Sequence, residues 1–416
     1  MTLYGSSQDV RHNLKLFFLD AAVFAPAMTL ISITAVIPYF LHQAGASTVQ
    51  IGLTASSALV CNLLLQPVFG RLASHSRTPH RTFAYVLLVQ RVVFLAFVAC
   101  IPVLSGHGRV LVWGFLLSWA VFNLFVGSYG IFYTPLVMRL LPPDQRGAVR
   151  GLGSATGSLV GLGMAALIPV ILGRFAFPYG YVIVFALGSV LLLVDAAVFL
   201  GMRVPADSEP STPMGVFGYV RRMPGTLRHN EPFRAVVVIC MFLAVASSLL
   251  TYYTLYAIRV FGAAEAQIGQ LAALAVMAGV VGFVVSGFAA DRWGPRIVAA
   301  VSAGLVVVAG VLALTTHSLA LLYVAWVLAN LANSGYAMCG VLLVGKVSPV
   351  SHLPLYAGVN SIISLAFSAV VLLLLAPALQ RVGFAPLFVI VLLCGAISLA
   401  TNELVLRRRL AGVAGR

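Results

Sequence analysis

Three ionisable side chains lie deep within long apolar stretches of this chain, where a charge is costly. Asp20 and Asp195 are carboxylic acids, and Arg91 is the single cation in the middle of such a stretch. A buried carboxylate can pair with a cation or take up and release a proton. Arg91 needs an anionic partner, and Asp20 and Asp195 are the two choices in its half of the chain. We therefore expect a structural ion pair at Arg91, with substrate binding, gating or coupling as alternatives.

The sequence offers little other chemistry. It contains no paired carboxylates, histidine cluster or phosphate-binding glycine motif, so we expect neither an enzyme nor a cofactor. The five cysteines are isolated in apolar stretches, which predicts neither a disulfide framework nor a metal site. The formal net charge of +15 could indicate a nucleic-acid partner, but the basic residues follow the pattern of membrane topology instead.

Composition indicates how these groups are positioned. The chain has 416 residues, of which 61% are hydrophobic and 8% are charged. Soluble domains carry about 25% charged residues, so this chain cannot cover a water-facing surface. Repeated apolar stretches of roughly 20 residues are typical of membrane-spanning helices, because lipid leaves the backbone polar groups of other structures unsatisfied. The lipid bilayer is therefore an expected partner.

Twelve spans account for the apolar stretches. They are approximately 14–41, 49–72, 82–104, 110–139, 148–173, 179–202, 233–259, 265–290, 297–316, 319–345, 355–378 and 384–406. With this map, twenty of the 25 Lys and Arg residues fall on one side, four fall on the other, and Arg91 lies within a span. The positive-inside rule then places both termini and the central linker in the cytoplasm.

Two repeated patterns indicate that the chain consists of related halves. Gln50-Ile51-Gly52 precedes Gly70 at the same spacing at which Gln267-Ile268-Gly269 precedes Gly287. A second repeat begins at Arg139 and at Lys346. Each copy has a proline three residues later, Pro142 or Pro349, and then a Gly and a Ser at identical spacing. We predict a bundle at 1–202, a cytoplasmic linker at 203–232 and a second bundle at 233–416.

The loop after Gly287 has a recognisable pattern. It places Asp291, Arg292, Gly294 and Arg296 at the spacing of a cytoplasmic-loop signature, and with the two repeats it resembles the major facilitator superfamily. The resemblance covers essentially the whole chain. It implies an all-α polytopic membrane protein, with twelve transmembrane helices in two six-helix bundles. The first copy of the loop departs from the family, because Ser74 stands where the family usually has Asp.

The resemblance also implies alternating access to a central cavity lined by the first, fourth, seventh and tenth spans. Asp20 lies in the first of these, which makes it the best candidate for proton coupling, whereas Asp195 lies in a usually peripheral span. Polar and aromatic residues are candidates for the cavity lining: Asn123, Tyr129, Tyr133, Tyr252, Tyr253, Tyr256, Asn330, Asn333, Tyr336 and Asn360. Hydrogen bonding between helices is the alternative role for each of them.

The loop signature suggests a gate. Gly287 and Gly294 permit close helix approach and a tight turn. Asp291 could accept hydrogen bonds at the start of the fifth span near Gly147, where the helix dipole favours an anion. This contact would act as a cytoplasmic latch. The mirror contact, from Ser74 to the eleventh span near Pro354, would lack charge.

The function expected from the resemblance is secondary active transport of a small neutral, cationic or amphipathic solute by a monomer in the cell membrane. Proton-coupled efflux is one form of it, with H⁺ or another ion as the coupling partner. A cavity poor in cations disfavours polyanions, which usually need Arg or Lys. The alternatives are an exporter of lipid-like or hydrophobic metabolites and, in a different class, a transport-inactive sensor or scaffold.

Overall fold

The computed structural model describes residues 6–33, 36–204, 216–263 and 265–407, and these residues form helices joined by short turns, with no strand among them. Residues 205–215 of the predicted linker and the terminal residues 408–416 lie outside the described ranges. The helices are α1 Ser7–Leu30, α2 Val36–Gln43, α3 Thr48–Leu64, α4 Gln66–His75, α5 Pro79–Leu104, α6 Gly108–Val126, α7 Ser128–Leu140, α8 Arg146–Arg174, α9 Tyr179–Leu200, α10 Val216–His229, α11 Glu231–Ser248, α12 Thr251–Phe261, α13 Glu265–Trp293, α14 Pro295–Thr315, α15 Leu319–Val347, α16 Leu353–Val382 and α17 Ala385–Thr401. A 3₁₀ turn at Val350–His352 precedes α16, and a π-helical segment at Asn402–Leu406 follows α17.

The helices agree with the predicted membrane spans. Eleven helical stretches among the described residues are long and apolar enough to cross a membrane, with α6 and α7 together forming one of them. The second predicted span, 49–72, is divided between α3 and α4, whose 17 and 10 residues are individually short for a crossing. The first and seventh predicted spans are also divided, into α1 with α2 and α11 with α12. The all-helical membrane fold is confirmed.

The first Gln-Ile-Gly repeat marks a helix start. The Ser47 side chain accepts a hydrogen bond from the backbone N–H of Gln50 at 3.3 Å. The Gln50 side chain in turn accepts one from the backbone N–H of Ser47 at 2.9 Å. This reciprocal capping box satisfies N–H groups that the first turn of α3 would otherwise leave unpaired. The repeated glutamine therefore has a structural role in its first copy.

The chain divides into two compact units. Unit 1 comprises Met1–Leu141 and Thr156–Val216, and unit 2 comprises Pro142–Ala155 and Phe217–Arg416. Helix α8 contributes to both, since its first turns pack with unit 2 and the remainder packs with unit 1. The sequence-based boundaries at 202 and 232 stay predictions.

Aromatic rings form much of the core of unit 1. The ring of Phe40 lies 5.4 Å from the rings of both Phe115 and Phe185, measured between centroids. All three side chains are fully buried. Tilted and edge-on ring pairs at such distances add stability beyond the area that they bury. They hold α2, α6 and α9 together at one end of unit 1.

Candidate functional site

A buried ion pair lies inside unit 1. Nη2 of Arg91 on α5 donates a hydrogen bond to Oδ2 of Asp195 on α9, and only 1% and 0% of the two side chains is exposed. The same nitrogen donates to the Tyr129 hydroxyl at 2.8 Å, and that hydroxyl donates to Asp195 at 3.1 Å. Burying two charges is tolerated when they pair and share further hydrogen bonds. The predicted ion pair is present, and Asp195 is the partner of Arg91.

Asp20 joins this cluster from α1. Its side chain is 4% exposed and lies near the side chain of Asp195. Two neighbouring carboxyl groups repel each other when both are ionised, which favours a proton on one of them. The cluster of Asp20, Arg91, Tyr129 and Asp195 can therefore hold a proton next to a fixed cation. The sequence analysis grouped the three charged residues and assigned Tyr129 to the cavity lining.

A cavity of about 460 Å³ adjoins the cluster within unit 1. Its walls are mainly apolar and aromatic, with four polar side chains: the residues are Phe24, Met28, Ile33, Gln90, Arg91, Trp119, Phe122, Asn123, Val126, Tyr129 and Leu192. A mostly apolar cavity with a few convergent polar groups is typical of small-molecule sites. Of the predicted lining residues, Asn123 and Tyr129 belong to this cavity. Tyr133 is not in its lining and instead packs edge-on against Phe17 at 5.8 Å.

The loop signature forms a second polar site, in unit 2. Oδ1 of Asp291 accepts a hydrogen bond from the backbone N–H of Gly147 at 2.7 Å. Its Oδ2 accepts one from the N–H of Ala148 at 2.6 Å. Both donors belong to the first turn of α8, where unpaired N–H groups and the helix dipole favour a negative charge. The predicted contact between Asp291 and the start of the fifth span is present.

Two glycines make that contact possible. A Cβ atom on Gly287 would lie 2.4 Å from the backbone oxygen of Gly147, so α13 and α8 approach more closely there than any side chain allows. Gly294 has a φ of +87°, a conformation that favours glycine, at the turn into α14. Arg296 follows this turn and donates to Asn402 at 3.1 Å and to Glu403 at 2.9 Å.

Arg292, the remaining member of the loop signature, has a different environment. Its guanidinium carbon lies 5.9 Å from the centroid of the neighbouring Trp293 ring. That distance is within the range of a cation–π contact. The loop residues therefore make different contacts. Asp291 accepts hydrogen bonds from the start of α8, and Arg296 bonds to the π-helical segment that follows α17.

The sequence matches a known family along almost its whole length. The model of the Major Facilitator Superfamily matches residues 18–287 and 258–412. The chain belongs to the major facilitator superfamily. No curated protein sequence matches it.

Solved structures of superfamily transporters have the same fold. The Escherichia coli fucose:proton symporter FucP is 16% identical with a TM-score of 0.71, and the match covers 96% of this chain and 98% of FucP. The human organic anion transporter MFSD10 is 16% identical with a TM-score of 0.72, covering 95% and 99%. The proton:xylose symporter XylE is 14% identical with a TM-score of 0.68, covering 96% and 95%. The chain therefore has the fold of secondary transporters.

Three of the predicted lining residues of the second half, Asn333, Tyr253 and Tyr336, lie around one small space. Ser247 donates to Asn333 at 2.6 Å, and both border a space of about 10 Å³ together with Tyr253 and Tyr336. A space of that size holds about one water molecule. The Tyr253 hydroxyl is buried and has no hydrogen-bond partner among the described residues.

The other predicted residues of this half lie elsewhere. Tyr256 packs against Phe384 and Phe388, with centroid distances of 5.2 and 4.8 Å. Asn330 donates to the backbone oxygen of Trp326 on its own helix at 2.9 Å. Tyr252 and Asn360 are partly buried, and neither lines the small space at Asn333. The structure thus brings only some of these superfamily candidates together.

A third repeat, which the sequence analysis did not identify, consists of a tryptophan and an asparagine in each unit. The Trp119 indole donates to the backbone oxygen of Thr54 at 3.1 Å, and Asn123 donates to the backbone oxygen of Trp119 at 2.8 Å. In unit 2 the Trp326 indole donates to the backbone oxygen of Leu271 at 2.8 Å, and Asn330 repeats the second bond. The Trp and Asn are four positions apart both times, at the same offset as Arg139 and Lys346, so the signal was available in the sequence.

Arg150 is a second residue with an unforeseen role. It is 8% exposed, and its two terminal nitrogens donate to the backbone oxygens of Met338 and Ala337, both at 3.3 Å. These bonds join the start of α8 to the middle of α15 within unit 2. Backbone acceptors leave no signal in the sequence, so this contact could not be predicted.

Proposed function

We propose that the chain is a proton-coupled secondary active transporter of a small amphipathic solute, neutral or cationic, working by alternating access in the cell membrane. We further propose the orientation given by the positive-inside rule, with the linker and both termini in the cytoplasm. One observation carries the substrate class: a mostly apolar cavity of about 460 Å³ beside the buried cluster of Arg91, Asp195 and Tyr129. An amphipathic body suits the rings of that cavity, and its few polar side chains suit a small polar group.

Proton coupling is supported by the cluster itself. Asp20, Asp195 and Arg91 bring one cation and two carboxyl groups close together in the interior of unit 1. Gaining or losing a proton there changes the charge beside the cavity by one unit, which links proton binding to solute binding. FucP and XylE are named as proton symporters, which adds support from proteins of the same fold.

The apolar cavity wall also favours a second candidate within transport, the export of a lipid-like or hydrophobic metabolite. The two candidates differ in whether the cargo needs a polar group to engage Gln90, Asn123 and Tyr129. A cargo without such a group would be insensitive to Asn123→Leu, whereas an amphipathic solute that bonds to Asn123 would bind more weakly to that variant.

The test is solute-driven proton movement in proteoliposomes that contain a pH-sensitive dye. The probes are tetraphenylphosphonium as an amphipathic cation, chloramphenicol as a neutral amphipathic solute and glucose 6-phosphate as a polyanion. We expect the cation or the neutral solute, and not the phosphate ester, to produce a pH change that liposomes without protein lack. Flux of glucose 6-phosphate would overturn the substrate class. If none of the three moves and none shifts protons, the result favours the transport-inactive sensor.

We also propose that the bonds from Asp291 to the start of α8 stabilise the state closed to the cytoplasm. Asp291→Asn removes the negative charge from that helix terminus, at a cost of about 1 kcal/mol or a factor of about five in population. The measure is labelling of Asn123→Cys by a membrane-impermeant maleimide from the cytoplasmic side, in a background without Cys61 and Cys100. Labelling should become about fivefold faster, and an unchanged rate would rule out the latch.

A further inference from the structure

A second large cavity lies in unit 2 and shares no lining residue with the solute cavity of unit 1. Its volume is about 640 Å³, and it is bordered by α10 and by the start of α16. Helix α10 contributes Arg221, Arg222, Gly225 and Thr226, and the α16 side contributes His352, Leu355 and Tyr356. The spacing of the α10 residues places them on one face of that helix. Residues of α10 and residues at the start of α16 therefore both border the cavity.

The charge of this cavity is entirely positive. Its two arginines are exposed, and none of the seven lining residues is acidic. Nδ1 of His352 is covered and has no hydrogen-bond partner among the described residues. Two guanidinium groups on one side of the cavity can together engage an anion with several oxygen atoms.

The start of α16 adds to this field. Helix α16 has 30 residues, and the side chain of His352 at its N-cap position makes no capping hydrogen bond. Leu355 and Tyr356 of its first turn line the cavity. At the start of α8 in the same unit, the Asp291 carboxylate accepts hydrogen bonds from two N–H groups, whereas the second residue of α16 is Pro354, which has no N–H. The start of α16 thus faces a basic cavity where the start of α8 has an anion of its own.

We propose that this cavity binds a phosphate-bearing anion, supplied by the headgroup of an anionic phospholipid or by a soluble phosphate. Planar guanidinium groups match phosphate oxygens in pairs. The cavity lies where a predicted membrane span begins, at the depth of lipid headgroups, and basic pockets at that depth bind anionic lipids. The site is separate from the solute cavity, and the proposal does not depend on the proposed function.

The experiment is native mass spectrometry of the full chain in detergent. It is titrated with short-chain phosphatidylglycerol, with phosphatidylcholine of equal chain length, and with inorganic phosphate. Each arginine near an anionic headgroup contributes about a fivefold gain in affinity, so Arg221→Gln with Arg222→Gln should weaken phosphatidylglycerol binding about 25-fold. Arg228→Gln is the matched control, since Arg228 is exposed on the same helix but is not in the cavity lining.

A further variant separates a cavity site from general surface charge. Gly225→Leu keeps both arginines and places a side chain toward open space, since the nearest atom to a Cβ there is His229 Nδ1 at 3.9 Å. We expect this variant to lose binding while it retains the wild-type melting temperature in phosphatidylcholine. Preference for phosphatidylglycerol identifies a lipid source, and binding of inorganic phosphate with competition identifies a soluble source. The proposal is overturned if Arg228→Gln weakens binding as much as the double variant, if Gly225→Leu binds like wild type, or if neither anion binds better than phosphatidylcholine.

Discussion

The interiors of the two units are built on a shared scaffold but hold different polar groups. In both units an indole N–H bonds to a backbone oxygen of an adjacent helix, and an asparagine four residues later bonds back to the tryptophan. Unit 1 adds the buried ion pair of Arg91 and Asp195. Unit 2 has the neutral pair of Ser247 and Asn333 instead. Among the described residues of unit 2, the bonded pair that borders an internal space is neutral, so the shared scaffold does not itself call for charges there, which favours a functional role for the charges in unit 1.

The largest expected effect comes from breaking the charged cluster on one side only. Arg91→Met leaves Asp195 buried without its cation, which should cost about 3–5 kcal/mol of stability. Removing both charges together, as Arg91→Met with Asp195→Leu, should recover most of that loss. Unfolding in mixed micelles with a rising fraction of SDS measures both. Asn333→Leu is the comparison in unit 2, and it should cost about 1 kcal/mol. Equal losses for Arg91→Met and Asn333→Leu would remove the energetic distinction between the units.

A smaller effect is expected where α8 meets α13. Gly287→Ala places a Cβ atom 2.4 Å from the backbone oxygen of Gly147, so the helices must separate, at a cost of about 1–3 kcal/mol. Gly279→Ala on the same helix meets nothing within 4 Å and should be neutral or slightly stabilising. The same SDS unfolding assay compares them. If the two substitutions behave alike, the close approach at Gly287 is not a constraint.

The smallest effect tests the shared scaffold. Trp119→Phe and Trp326→Phe each remove one indole hydrogen bond to a backbone oxygen of an adjacent helix. Each oxygen lies within a helix and keeps its helical bond, so each substitution should cost about 0.6–1.5 kcal/mol, and the two losses should be alike. Thermal unfolding of the two variants in one detergent provides the comparison. A loss confined to one of them would show that the repeat is not used equally.

The sequence predicted much of this architecture because few alternatives were open. A chain with so few charges must form membrane helices, and in its first half only Asp20 and Asp195 could neutralise Arg91. The contact from Asp291 to Gly147 followed from the affinity of helix starts for anions. The bonds from Arg150 to backbone oxygens and the meeting of α10 with the start of α16 could not be predicted. Both depend on tertiary packing, and their partners carry no signal in the sequence.

The central claim is that the charged cluster of unit 1 couples proton movement to solute movement through Asp20. The most direct test compares gradient-driven accumulation with equilibrium exchange in proteoliposomes, using whichever amphipathic probe the wild type carries. Asp9→Asn is the matched control, because Asp9 lies on the same helix but pairs with Arg203 at a partly exposed position. We predict that Asp20→Asn lowers pH-gradient-driven accumulation at least about tenfold, as expected for loss of a proton-transfer group, while exchange continues. Accumulation by Asp20→Asn equal to that of the wild type would contradict the account.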